Sequence, residues 1–147
     1  MMLTPNFSFK EMVSTTHSEL QQENVDKSTQ YLHYLLKVAI MLQKIRDFIN
    51  RPVFVSSGFR CDKLNKKVGG AATSQHLLGQ AADITIKDYE DIEKLKYVFY
   101  WCKNNLDYGE LILENKPGSP PWIHISIPRE GLVKQCLIYE NNEYKAI

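Results

Sequence analysis

Apolar residues recur along this chain in two rhythms, steps of three and four or strict alternation, and these divide it into helices and strands. From Thr29 to Asn50 the first rhythm holds: Leu32, Leu35, Leu36, Ala39, Leu42, Ile45 and Ile49 line one face of a predicted helix. Asn50 can terminate it, and Pro52 cannot continue it. Asp91 to Asn105 repeats the pattern, with Ile92, Leu95, Val98, Phe99 and Cys102 marking the buried face. Strands are predicted in VFVSSGFR, ending near Ser57 at the Ser-Ser-Gly break, and in AADITI, GELILE and WIHISI, with a final one near Lys134 to Tyr139. In WIHISI the alternation sends Ile123, Ile125 and Ile127 to one face and Trp122, His124 and Ser126 to the other. NFSFKEM reads as a short capped turn, with Asn6 or Ser8 as N-cap and Phe7 and Phe9 as core anchors. KVGGAATSQH, with its Gly-Gly pair and small residues, reads as a surface loop, and NKPGSPP as a turn between two strands.

The order is helix, strand, strand, helix and then an antiparallel set, so the fold class is α+β rather than an alternating βαβ fold. At 147 residues the chain suits one domain, 1–147, with a core that needs no disulfide or metal staple.

Composition narrows the function classes modestly. A net charge of +1 gives no broad field for nucleic acid or an anionic membrane, and no stretch approaches the roughly 18 apolar residues of a membrane span. Neither is expected as a partner, and the expectation is a monomer. MMLTPNFSFKEM lacks the basic and apolar regions of a Sec signal, so the chain is expected in the cytoplasm at synthesis. Cys61, Cys102 and Cys136 are an odd, widely spaced set without a CxxC pair and read as buried free thiols.

The polar positions of the strands carry the chemistry. Alternation in AADITI puts Asp83 and Thr85 on the face away from Ile84 and Ile86, with Ala81 and Ala82 leaving a shallow recess. If that recess also holds His76 and His124, two imidazoles and one carboxylate form a three-ligand zinc set with a fourth position open. His17 and His33 lie in the N-terminal third without a neighbouring carboxylate pattern.

Three blocks read together add to this. SGFR (57–60), SQHLLGQAAD (74–83) and WIHIS (122–126) resemble those of the zinc D-alanyl-D-alanine carboxypeptidases and L-alanyl-D-glutamate endopeptidases, a group that includes vancomycin-resistance dipeptidases and many phage endolysins. The pattern S-x-H-x-x-G-x-A-x-D is matched at Ser74, His76, Gly79, Ala81 and Asp83. NFSFKEM, LNKKVGGA and LILE resemble the short, single-domain branch found in phages and prophages. The resemblance implies a hedgehog/D,D-peptidase-like fold, mainly an antiparallel sheet with flanking helices, and hydrolysis of peptide bonds in bacterial peptidoglycan. By it, His76, Asp83 and His124 would ligate Zn²⁺, Arg60 would hold a substrate carboxylate and Ser74 would sit beside the bound peptide. Trp122, from its place on the strand, reads either as a wall of the cleft or as an exposed aromatic on an edge strand. Release to the wall by a holin would suit an endolysin, and a cytoplasmic dipeptidase would need none.

The general base does not carry over. Better-known branches place a Glu or Asp three residues before the last histidine, where this chain has Pro121. Glu114 and Glu110 remain. In a hairpin closed by NKPGSPP, Glu114 lies opposite Trp122 and diagonal to His124, about 7–8 Å away between backbones, and Glu110 lies opposite Ser126. The short branch resembles Q-L-I-x-E followed by W-x-H-x-S, which aligns its glutamate with Glu114 and its glutamine with Glu110, so Glu114 is the favoured base. Two rivals remain: a non-catalytic zinc module of a phage or wall-binding assembly, which would need no base, and a metal-free binding domain.

Overall fold

The structure, a computed structural model, describes residues 1–147. Strand β1 (Met2–Thr4) pairs with β2 (Phe7–Ser8), which runs into α1 (Phe9–Val13). Ser8 and Glu11 form a reciprocal cap: the Ser8 hydroxyl accepts from the Glu11 backbone at 3.1 Å, and the Glu11 carboxylate accepts from the Ser8 backbone at 2.8 Å. Of the two expected caps, then, Ser8 serves; Asn6 instead exchanges hydrogen bonds with Gln43. Phe7 is fully buried, and Phe9 packs at the core's margin.

A helix absent from the sequence reading follows, α2 (Gln21–Ser28), flanked by 3-10 turns at Ser18–Leu20 and Thr29–Tyr31. Its buried residues are Asn24 and Ser28, so hydrophobic periodicity had nothing to detect. The next helix, α3 (Leu32–Ile49), starts later than expected because the chain first makes that second 3-10 turn, and it ends at Asn50 in the left-handed conformation (φ 52°). Leu35, Ala39, Leu42, Ile45 and Ile49 are buried as expected. Leu32 and Leu36 are not: with Ile40 they form an exposed strip at steps of four, on the margin of the face centred on Leu35 and Leu42.

Strand β3 (Val53–Ser57) leads through α4 (Asp62–Lys67) and a 3-10 turn (Gln75–Leu78) to β4 (Ala81–Ile86). The expected surface loop is thus ordered at both ends, and His76 sits within its second turn. Helix α5 (Ile92–Asn105), capped by Asp91, precedes β5 (Glu110–Glu114), β6 (Trp122–Ser126), β7 (Gln135–Glu140) and β8 (Glu143–Ala146). The six-stranded sheet has the order β3-β4-β6-β5-β7-β8. All neighbours are antiparallel except β5 and β7. The last expected strand therefore departs from the antiparallel set in direction, and β8, which alternation did not reveal because all its residues are exposed, forms the edge beyond it.

One sheet face carries Ile84, Ile86, Leu111, Leu113, Ile123 and Ile125 into the same buried cluster as the apolar faces of α3 and α5. Each such side chain contributes about 1.5–3 kcal/mol by leaving water. The other face is free to carry Asp83, His124 and Glu114. Cys61, Cys102 and Cys136 are buried and unpaired.

The segment after β3 is held by backbone contacts. Phe59 donates its N–H to the Met12 carbonyl at 2.8 Å, and the two chains approach so closely that a Cβ on Gly58 would lie 2.2 Å from that oxygen. Asn24 closes the clamp: its Nδ2 donates to the Val13 and Phe59 carbonyls (2.8 and 3.0 Å), and its Oδ1 accepts from the Cys61 N–H at 2.7 Å. Replacing Asn24 with Ala strands three buried polar groups and is expected to cost about 2–4 kcal/mol of unfolding free energy. Leu36→Gln on the exposed strip should cost less than about 0.5 kcal/mol. Denaturant titration compares the two; an Asn24→Ala protein as stable as the unaltered one would show that the clamp contributes nothing.

Candidate metal centre

Register builds the site. Asp83 on β4 stands directly opposite His124 on β6, and Ile112 on β5 is His124's partner on the other side. The neighbouring row aligns Trp122, Glu114, Tyr139 and Tyr144 across β6, β5, β7 and β8. Where β3 meets β4 the register slips between Val55 and Ser57, and the Ser56 hydroxyl donates to the Asp83 carbonyl at 3.2 Å. Such a slip locally re-aims the strand beside the site.

His76 reaches the same place from the turn before β4. The Ser74 hydroxyl accepts from the His76 backbone N–H at 3.2 Å, and the turn closes at Gly79, whose φ of 68° lies in the left-handed region. Gln75 fastens the turn to the sheet by donating to the Ile127 carbonyl at 2.9 Å. One donor atom from each of His76, Asp83 and His124 lies within 4.8 Å of the other two.

The protons are placed by their partners. His76 Nδ1 lies 2.6 Å from the Gly58 carbonyl, which can only accept, so Nδ1 carries the hydrogen and Nε2 presents a lone pair. That Nε2 is buried and has no hydrogen-bond partner. An orphaned imidazole nitrogen aimed at a carboxylate and a second imidazole is what a metal ion would satisfy. Asp83 divides its oxygens: Oδ2 accepts from Arg60 Nη2 at 3.3 Å, while Oδ1 lies 2.8 Å from His124 Nδ1 and 3.4 Å from His76 Nε2. Three ligands at zinc distance from one tetrahedral centre are about 3.3 Å apart, close to the separations of Asp83 Oδ1 from the two imidazole nitrogens.

Without an ion, the Asp83 carboxylate and the His124 imidazole support each other's charge across 2.8 Å. Burial works against charge on Asp83, but the two imidazoles outweigh it and hold the carboxyl well below its usual range. Burial likewise works against charge on His124, yet Asp83 and Glu110 prevail and raise its pKa from 6.5 to about 9.

The other sequence candidates line the same cleft, of about 650 Å³: Arg60, Ser74, Glu110, Glu114 and Trp122. Arg60 is already engaged, donating also to Ser57 Oγ at 2.9 Å and Asn65 Oδ1 at 3.3 Å. Glu110 Oε1 lies 3.5 Å from His124 Nε2. Glu114 is buried, which raises its pKa, with Lys116 and Tyr144 pulling the other way. Ser126, on the same face, is spent on structure: its hydroxyl accepts from the Glu110 backbone at 2.9 Å. His17 pairs loosely with Glu19 at 3.9 Å and the His33 ring lies tilted against that of Tyr34, both outside the cleft. Sequence reasoning missed Asn24, Asn65 and Tyr144. Asn24 and Asn65 act through backbone groups and Arg60, contacts with no periodic signature, while Tyr144 stands on the exposed edge strand.

Two expectations follow. Because His124 gains a proton-holding environment on folding, the metal-free protein is stabilised by it fully below pH 6.5 and loses that contribution as pH rises through about 9. The melting temperature of the metal-free protein should therefore decline across that window, and His124→Gln should flatten the decline; equal declines would deny the linkage. Zinc must displace that proton, so calorimetry near pH 7.5 in buffers of different ionisation enthalpy should show about one proton released per ion. Release of none would mean that His124 is not protonated or does not ligate.

A family model for peptidase M15 matches residues 5–126, which takes in His76, Asp83, His124 and every element from β2 through β6. None of the curated proteins compared with the chain matches it. The α+β fold with a mostly antiparallel sheet and flanking helices, the His–Asp–His group and that match lead to one conclusion: the chain belongs to the peptidase M15 family of zinc-dependent peptidases.

Proposed function

We propose that the chain acts as one peptidase domain, 1–147, that hydrolyses peptide bonds in bacterial cell-wall peptides, with His76, Asp83 and His124 as the zinc ligands and Glu114 as the general base. The observation that carries this reading is the unpartnered, buried Nε2 of His76, fixed in its tautomer by the Gly58 carbonyl and turned toward Asp83 and His124. Support for a cell-wall peptide as substrate comes from the family and from the SGFR, SQHLLGQAAD and WIHIS blocks.

A zinc ion in such a site supplies Lewis acidity and lowers the pKa of water toward about 7. The residues of the chain do the rest. Asp83, its outer oxygen held by Arg60, offers a single oxygen inward, and the Glu110 carboxylate keeps His124 turned so that Nδ1 faces the centre. Glu114 takes the proton of the attacking water and returns it to the leaving amine, a task suited to a carboxylate whose pKa burial has moved upward. Of the five N–H donors of Arg60, Ser57, Asn65 and Asp83 take three, leaving two on a rigid fork for a substrate carboxylate. Lys116 and Arg129 add positive charge to the cleft walls.

Digestion of purified peptidoglycan by the zinc-loaded protein, followed by mass analysis, should show new amino and carboxyl ends, whose position assigns the enzyme to the carboxypeptidase or the endopeptidase type. Intact muropeptides with one zinc bound would point instead to a non-catalytic module. Glu114→Gln should lower kcat by at least about 100-fold while zinc stays bound. Glu110→Ala should chiefly weaken zinc binding, by roughly tenfold or more. The reverse pattern would exchange the two roles.

A further inference from the structure

The matched family segment ends at residue 126, and two strands of the sheet lie beyond it. β7 joins β5 in parallel and β8 closes the edge, so the final hairpin is built onto the strand that carries both glutamates. Its register is not neutral toward the cleft. Glu114 pairs with Tyr139, and Tyr139 pairs with Tyr144. The Tyr144 hydroxyl reaches back across that row to the Glu114 carboxylate, 3.1 Å from Oε1 and 3.4 Å from Oε2.

Two neighbours hold the row in shape. The Tyr139 and Tyr144 rings lie 4.5 Å apart, and the Lys116 ammonium sits 5.2 Å from the Tyr139 ring and 5.5 Å from that of Trp122. Lys116 is 3.9 Å from Glu114 Oε2, too far for a hydrogen bond, which leaves Tyr144 as the group that donates to the carboxylate. Burial, with Glu114 alongside, pushes the Tyr144 hydroxyl up to about 12, so it keeps its proton at neutral pH.

We infer that Tyr144 is a positioning residue: the C-terminal hairpin lies against β5 to fix the Glu114 carboxylate in the orientation from which it exchanges protons with substrate and water. The inference rests on the reading of Glu114 as the general base. A glutamate turns about three side-chain bonds, and freezing it in a productive orientation raises the rate of the chemical step without altering substrate affinity. Tyr144 is half-exposed on an edge strand, so removing one oxygen atom should leave the fold intact.

The test compares zinc-loaded Tyr144→Phe and Glu114→Gln with the unaltered protein on a peptidoglycan-derived peptide. Tyr144→Phe is expected to lower kcat roughly tenfold with KM within about twofold. Zinc affinity and melting temperature should not change. In the metal-free protein, the ¹³C resonance of the Glu114 carboxyl should move when the hydroxyl is removed, a readout independent of turnover. If Tyr144→Phe keeps full kcat while Glu114→Gln is inactive, the reading of Glu114 stands and the role of Tyr144 is refuted. Parallel losses in kcat, KM, zinc affinity and melting temperature would make Tyr144 merely structural and also refute it. Full activity in Glu114→Gln would remove the reading itself, and the inference with it.

Discussion

The pairing of Asp83 with His124 across two antiparallel strands is the constraint on which the rest of the molecule turns. Cross-strand partners are held a few ångströms apart by the backbone ladder, so the distance between a carboxylate and an imidazole is set by hydrogen bonds that the side chains do not make. The same period-two rule sends Ile84, Ile123 and Ile125 to the core, and a slip of one residue would bury the charged groups and expose the aliphatic ones. The core therefore enforces the register, and the register delivers two of the three candidate ligands. Charge makes the point in reverse: without an ion, Asp83 and His124 offset their burial by leaning on each other, with Arg60 beside Asp83 and Glu110 beside His124.

The third candidate ligand depends on a different kind of order. His76 stands on a single 3-10 turn, an element with little stability of its own, and the surrounding chain compensates. Gln75 ties the turn to the sheet, the Arg60 backbone N–H donates to the His76 carbonyl at 3.0 Å, and the Gly58 carbonyl takes the proton of Nδ1. The peptide that bears that carbonyl is held in turn through the Phe59 N–H, which donates to Met12 of α1, and Asn24 of α2 fastens the next carbonyl, that of Phe59. The N-terminal third, which contributes no residue to the cleft, thus governs which nitrogen of His76 is free.

How much of this was legible in the sequence follows from the same physics. Strands with a clean alternation, such as WIHIS and AADITI, declared both their core face and their polar face, and the hairpin geometry that set Glu114 opposite Trp122 is the one observed. The capping and stop signals around α1 and α3 were local and readable at Ser8 and Asn50. What escaped was order bought by polar contacts: α2 turns inward an asparagine and a serine, and its role is a set of hydrogen bonds to backbone atoms far along the chain. Leu32 and Leu36 fit a helical rhythm yet face outward, because periodicity gives the direction of the buried face but not its width. The parallel course of β7 was hidden because pairing direction depends on where the chain returns to the sheet, and β8 because it has no buried face to alternate with an exposed one. Meanwhile Arg60 lies in the cleft, but with its guanidinium already against Asp83, an engagement that no spacing could reveal.

The central claim is that three side chains from a turn and two strands share one divalent ion. Its most direct measurement is diffraction from zinc-grown crystals on either side of the zinc absorption edge. The account expects a single anomalous peak within bonding distance of His76 Nε2, His124 Nδ1 and one oxygen of Asp83, at about 2.0–2.2 Å from each. A peak elsewhere on the chain, or His76 turned so that Nδ1 faces the centre and the Gly58 carbonyl is released, would contradict it.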